Sequence, residues 1–167
     1  MIGSATRLRE RLIASGIARP EDIEGCPPAE IAAIEARHGL LPASYREILA
    51  LIGHRAGRLV DDLEFRIYVD QLDAVNGDAQ TLLQGCAEDH LASGVPANAF
   101  FISARYGENP CYLLTGEADD SAVHIFKSDD CRIELVHLSV WGWIDDFVRD
   151  AEHFIGLGLG GANARRG

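Results

Sequence analysis

The chain has 167 residues, of which 47% are apolar and 25% are charged, proportions that are ordinary for one soluble globular domain. It carries 15 basic and 26 acidic residues, which give a formal net charge of −11. A field of that sign repels phosphate backbones and anionic lipid headgroups. We therefore expect neither direct nucleic-acid binding nor membrane binding.

The cysteines and the N-terminus bear on cofactors and location. Cys26, Cys86, Cys111 and Cys131 are too widely spaced in sequence for a zinc module. Cys111 and Cys131 lie in apolar runs, which favours buried free thiols in a reducing compartment. The N-terminus lacks the apolar core of a signal peptide, and no apolar run is long enough to span a bilayer. We expect a cytoplasmic protein without a metal or cofactor.

Helical periodicity predicts three helices in the first third of the chain. Residues 4–15 form an amphipathic helix, with Ser4 or Thr6 as its N-cap and Gly16 as its end. Residues 17–28 contain three prolines and a glycine, a composition that predicts irregular structure. Residues 29–38 and 41–52 are predicted to form the second and third helices.

The break between the second and third helices is the most informative stretch. Gly39 can take the positive φ that ends a helix, and Pro42 suits the first turn of the next one. The residues that follow form an apolar stripe at helical spacing, which predicts that one side of the third helix lies in the core: Leu41, Tyr45, Ile48, Leu49 and Ile52.

The middle of the chain is harder to assign. Residues 54–58 are predicted to form a loop. Residues 63–69 alternate as in a strand, with Leu63, Phe65, Ile67 and Val69 on one face. Residues 70–85 are predicted to be helical, and residues 86–97 fit either a loop or a short helix.

Beyond residue 97 the period changes. Residues 100–104, 111–115, 122–127 and 133–138 are short β-prone runs separated by turn-forming segments. This spacing predicts an antiparallel meander. Ser139 is a good N-cap for a closing helix that ends near Phe154, and residues 156–167 form a glycine-rich tail that is predicted to be disordered.

A family resemblance is carried by the residues around the glycine–proline break. Ile34, Glu35, Gly39, Leu41, Pro42, Tyr45 and Leu49 resemble the signature of the SUKH superfamily. Residues 68–76, 101–107, 111–114, 121–126 and 139–147 then follow in the order that SUKH domains show. The resemblance covers about residues 28–155, so we divide the chain into one SUKH-like domain, residues 1–155, and a tail. It implies an α+β fold: a single domain with an antiparallel β-sheet meander packed by N-terminal helices and a C-terminal helix.

The resemblance also implies a function. Bacterial SUKH proteins of this size often serve as immunity proteins, which bind and neutralise cognate toxins that are frequently basic nucleases. We therefore expect a non-enzymatic binding protein, a monomer or weak homodimer, whose partner is a toxin domain. The alternative from the same superfamily is a protein-interaction adaptor, since the resemblance extends to regulators of cell-wall synthesis in yeast.

The candidate binding residues are acidic side chains in two predicted turns. Residues 86–152 hold 13 acidic and 4 basic residues, so the second half of the chain would attract a basic partner. A meander could bring the turn acids onto one rim: Glu117, Asp119, Asp120, Asp129 and Asp130. The alternative is that these aspartates only cap local backbone amides.

A small hydrolase is the alternative from a different class. It would use His124 or His137 with a turn aspartate. A nucleophilic triad needs a base beside an exposed nucleophile on a sharp turn, and the sequence contains no such nucleophile elbow. We therefore expect no catalysis.

Overall fold

The first helix of the fold forms as the sequence predicts. A computed structural model describes residues 1–61, 63–116 and 118–158 of the chain. Helix α1, Ala5–Ala14, begins where the side chain of Ser4 accepts a hydrogen bond from the backbone N–H of Arg7. Leu8 and Leu12 are fully buried on its inner side. Of the two predicted N-caps, Ser4 is therefore the one used.

Two very short strands pair across the segments that were predicted to be irregular. Strand β1, Ile23–Glu24, runs antiparallel to β2, Arg55–Ala56. A strand of two residues is too short to leave a period in the sequence, so the pairing escapes pattern analysis. It brings the segment before the second helix beside the segment after the third.

The glycine–proline break joins two helices as predicted. Helix α2 is Pro28–His38 and helix α3 is Ala43–Ile52. Gly39 ends α2 with a φ of 95°, a conformation that suits glycine. All five members of the predicted apolar stripe, Leu41, Tyr45, Ile48, Leu49 and Ile52, are buried.

The predicted strand at residues 63–69 is only partly correct. Strand β3 is limited to Phe65–Arg66, and Leu63 is 84% exposed instead of facing the core. Helix α4, Val69–Glu88, takes over at once. Its start is fixed by the side chain of Gln71, whose oxygen accepts hydrogen bonds from the backbone N–H groups of Ile67 and Tyr68.

The antiparallel meander is confirmed. The remaining strands are β4, Ala99–Arg105; β5, Glu108–Leu114; β6, Val123–Lys127; and β7, Arg132–His137. The sheet order is β3-β4-β5-β6-β7, and every neighbouring pair is antiparallel. Strand β7 is consequently an edge strand. Helix α5, Val140–Gly156, closes the described part of the chain, and residues 159–167 of the predicted tail lie outside it.

The helices cover both faces of the sheet. On one face, Phe100 and Leu113 pack with α3 and α5 through Tyr45 and Trp143, whose rings lie 6.2 Å apart. On the other face, α4 covers a second core that contains Phe101, Ala104, Tyr112 and Phe126. The predicted α+β class, a single domain with an antiparallel sheet packed by helices, is therefore confirmed. The sequence did not show that α4 covers the face opposite α3 and α5.

The prediction of a free thiol at Cys131 is wrong. Cys131 forms a disulfide with Cys86, 45 residues earlier, and their Cα atoms are 5.9 Å apart. The end of α4 lies over the β6–β7 turn, a proximity that linear spacing cannot reveal. Cys26 and Cys111 are free.

Candidate functional site

The acidic turns lie at opposite ends of one strand. The β5–β6 loop, which carries Asp119 and Asp120, precedes β6, whereas the turn with Asp129 and Asp130 follows it. Consecutive hairpins of a meander turn at alternate ends of the sheet, and the five residues of β6 span about 16 Å. The prediction that these acids share one rim of the sheet is therefore wrong. Glu117 lies outside the described residues.

Of the four aspartates that were predicted to bind a partner, three are exposed turn residues. Asp119, Asp129 and Asp130 are exposed, and Asp130 pairs with Arg132 at 3.2 Å. Within residues 1–61, 63–116 and 118–158, no basic group lies within 4 Å of the carboxylates of Asp119 or Asp129. These two charges are open to solvent and to a partner.

Asp120 instead holds the fold together. Its Oδ1 accepts hydrogen bonds from the Ser44 hydroxyl at 2.7 Å, the Ser121 backbone N–H at 2.8 Å and the Val140 backbone N–H at 2.9 Å. These donors belong to the starts of α3 and α5 and to the loop itself. Asp120 therefore caps backbone amides, as the alternative interpretation expected, and its Oδ1 is occupied by three donors.

The residues that resemble the SUKH signature lie beside the β5–β6 loop, which carries Asp119 and Asp120. The carboxylate of Glu35 accepts a hydrogen bond from the Leu41 backbone N–H at 3.0 Å. A Cβ on Gly39 would lie 3.0 Å from the Thr115 hydroxyl, so this turn is closely packed. The first amides of α3 donate to the carbonyls of Ala118 and Asp119 at 3.0 and 2.9 Å. Because Pro42 gives α3 no capping side chain, the β5–β6 loop supplies the missing acceptors.

An apolar strip lies between the two acidic turns. On the edge strand β7 and directly after it, Leu135 is 54% exposed, Val136 39% and Leu138 85%. The β6–β7 turn precedes this strand, and the β5–β6 loop reaches its far end through the contact of Asp120 with Val140. We call Leu135, Val136, Leu138 and the exposed Asp119 and Asp129 the β7 edge surface. It combines exposed apolar side chains at its centre with carboxylates at both ends.

The two candidate catalytic histidines lie on opposite faces of the sheet. His124 stacks on Tyr112 on the α4 side, with ring centroids 5.3 Å apart, and its buried Nδ1 has no hydrogen-bond partner among the described residues. His137 lies on the α5 side, with its Nδ1 3.5 Å from Asp146. Burial, together with the charge of Arg149, lowers the pKa of His137. The sheet separates the two imidazoles, so they cannot act together.

His137 also borders a cleft between the sheet and α5. The cleft has a volume of about 490 Å³ and contains Cys111, Lys127 and Trp143. Burial raises the pKa of Cys111 to about 11, although Ser103 and Lys127 act in the opposite direction. A thiol with that pKa is protonated near neutral pH and is a weak nucleophile.

A mixed cluster of Cys26, Glu30 and His54 was not predicted. The thiol, the carboxylate and an imidazole nitrogen all lie within 4.8 Å of one another, and His54 Nε2 is 2.7 Å from Glu30 Oε2. Burial raises the pKa of Cys26 to about 12, and the charge of Glu30 and a hydrogen bond to it act in the same direction. The four-residue interval from Cys26 to Glu30 was the only sequence signal, because His54 is brought in by the β1–β2 pairing.

The fold and these sites define an α+β domain with an acidic, partly apolar edge and a separate cluster of Cys26, Glu30 and His54. No protein-family model, no curated protein and no solved structure matches the chain. None of the described helices has the length and apolar character needed to cross a membrane.

Proposed function

We propose that this chain is an immunity protein of the SUKH type, which neutralises a cognate toxin domain by binding it and catalyses no reaction. Three features support the proposal: the signature-like residues from Ile34 to Leu49, the order of the downstream segments, and the α+β fold with its antiparallel meander. The scaffold contacts of Glu35 and Gly39 give the signature-like residues a structural role, which leaves partner binding to other surfaces.

The observation that carries the proposal is the net charge of −11. A basic toxin domain, such as a nuclease, is attracted by this field, and charge complementarity raises the rate of association. The same field disfavours nucleic acid as a direct partner. Asp119 and Asp129 contribute to it from exposed turns without a basic neighbour in the described part of the chain.

We assign the toxin-binding site to the β7 edge surface. Stable interfaces commonly have an apolar centre and a polar rim, and they cover about 800 Å² of each partner. A patch of that size is about 30 Å across, so one partner can contact both acidic turns although they are about 16 Å apart. Leu135, Val136 and Leu138 would form the centre of this interface, with Asp119 and Asp129 at its rim.

Co-expression with the toxin domain encoded beside this chain tests the proposal. Growth should be rescued, and the two proteins should purify as a complex. If growth is not rescued and no complex forms, the immunity function is wrong, and the adaptor alternative takes its place.

A matched pair of charge reversals tests the binding surface. Asp119→Lys with Asp129→Lys should slow association with the toxin at low salt by about tenfold or more, with less effect at high salt. Glu10→Lys with Asp70→Lys changes the net charge equally at exposed positions on α1 and α4. Equal association rates for the two double variants would remove the β7 edge surface from the proposal.

A further inference from the structure

The Cys26, Glu30 and His54 cluster has the composition of a transition-metal site. It offers one thiol sulfur, one carboxylate and one imidazole nitrogen, which are the three side-chain donor types that zinc uses in proteins. Cys26 is buried, whereas the side chains of Glu30 and His54 are about one-third exposed. Such a site is anchored on its inner side and open to solvent on its outer side.

The backbone holds all three residues in place without a ligand. The Cys26 N–H donates to the Leu49 carbonyl at 2.8 Å, and the His54 N–H donates to the Glu24 carbonyl at 2.9 Å. Glu30 lies in the first turn of α2. The three donors are therefore fixed by α2, by the end of α3 and by the β1–β2 pairing, which limits the entropy lost when a cation binds.

Two further features favour a cation here. Gly53 lies directly under the cluster, because a Cβ at this position would overlap the sulfur of Cys26. Gly53 also caps the C-terminus of α3, and the partial negative charge at that helix end attracts cations.

We propose that Cys26 Sγ, the Glu30 carboxylate and His54 Nε2 bind one Zn²⁺, with water as the fourth ligand. Tetrahedral zinc with ordinary bond lengths holds its ligand atoms about 3.3–3.6 Å apart. The 2.7 Å distance between the Glu30 oxygen and the His54 nitrogen must therefore lengthen by about 0.6 Å. The distances from these two atoms to the Cys26 sulfur are at most 4.8 Å, so each must shorten by at most about 1.5 Å. Side-chain rotations about fixed backbones supply movements of this size. The thiol proton leaves to solvent as the sulfur–zinc bond forms.

Zinc titration of the purified chain, after chelator treatment and tag removal, tests this assignment. Competition with a chromogenic chelator should give one Zn²⁺ per chain. Cys26→Ser and His54→Gln should each weaken binding at least tenfold. Cys111→Ser, which removes the other free thiol, and His153→Gln, at an exposed position on α5, should bind as the unaltered chain does.

Cobalt substitution supplies a readout that does not depend on how a variant folds. Co²⁺ added to the unaltered chain should give the charge-transfer absorption of a cobalt–thiolate bond, and Cys111→Ser should retain it. The absence of this band from the unaltered chain, or unchanged zinc affinity in a folded Cys26→Ser variant, would overturn the proposal. The cluster would then be only a hydrogen-bonded Glu30–His54 pair beside a buried thiol.

Discussion

Asp120 offers the sharpest test of how the loop and the two helices are held together. In Asp120→Ala, the backbone N–H groups of Ser121 and Val140 lose their acceptor, and the hydroxyl of Ser44 loses its own. A half-buried amide without a partner costs about 1–2 kcal/mol, and loss of a carboxylate at a helix N-terminus costs about 0.5 kcal/mol more. We therefore expect the free energy of unfolding to fall by about 3–4 kcal/mol.

Urea unfolding followed by circular dichroism measures this loss. Asp120→Asn keeps an acceptor oxygen without the charge, so it should lose only about 1 kcal/mol. Asp119→Ala, one residue earlier and exposed, should change the free energy of unfolding by less than about 0.5 kcal/mol. A loss below about 1 kcal/mol for Asp120→Ala would refute the role that we assign to its three hydrogen bonds.

Two further predictions concern stability. Loss of the Cys86–Cys131 disulfide, by reductant or by Cys86→Ser, should lower the free energy of unfolding by up to about 4 kcal/mol, because 45 residues separate the cysteines. Thermal unfolding measures this loss, with Cys111→Ser as the control. An unchanged melting temperature would contradict the prediction. A hydrogen bond from Arg11 lowers the pKa of Glu152. The ion pair therefore stabilises the fold at pH values above the ordinary glutamate pKa, and this stabilisation is lost as the pH falls through the lowered pKa of Glu152. The difference in unfolding free energy between Glu152→Gln and the unaltered chain should therefore be largest near pH 7 and vanish in acid, and a difference independent of pH would contradict the assignment.

The elements that the sequence predicted are those with a clear period. The apolar stripe of α3 and the spacing of the four later strands each repeat often enough to identify a helix and a meander. Gly39 and Ser139 mark helix ends because their local chemistry is sufficient to do so. These local signals predicted the helices and the antiparallel meander, whereas the packing of the helices on the sheet was implied by the family resemblance.

The features that the sequence missed depend on contacts between distant segments. Cys86 meets Cys131, and His54 meets Cys26, only after the chain has folded. The alternation that suggested a strand at Leu63 was overridden by a turn at Asp61, whose side chain accepts a hydrogen bond from the Leu63 N–H and whose carbonyl accepts from the Glu64 N–H. Nothing in the sequence separates Asp120 from its neighbour Asp119. Only the folded chain shows that Asp120 accepts hydrogen bonds from Ser44 and Val140, at the starts of α3 and α5.

The central claim is that this protein neutralises a toxin by binding it, not by acting on it as an enzyme. The most direct test is to titrate this chain into a fixed amount of the cognate toxin domain and measure the remaining toxin activity. Stoichiometric binding predicts a linear loss of activity that ends at one chain per toxin domain. Complete inactivation by far less than one equivalent would indicate catalysis, and unaltered activity at excess would show that this toxin is not the partner. Either result would contradict the account.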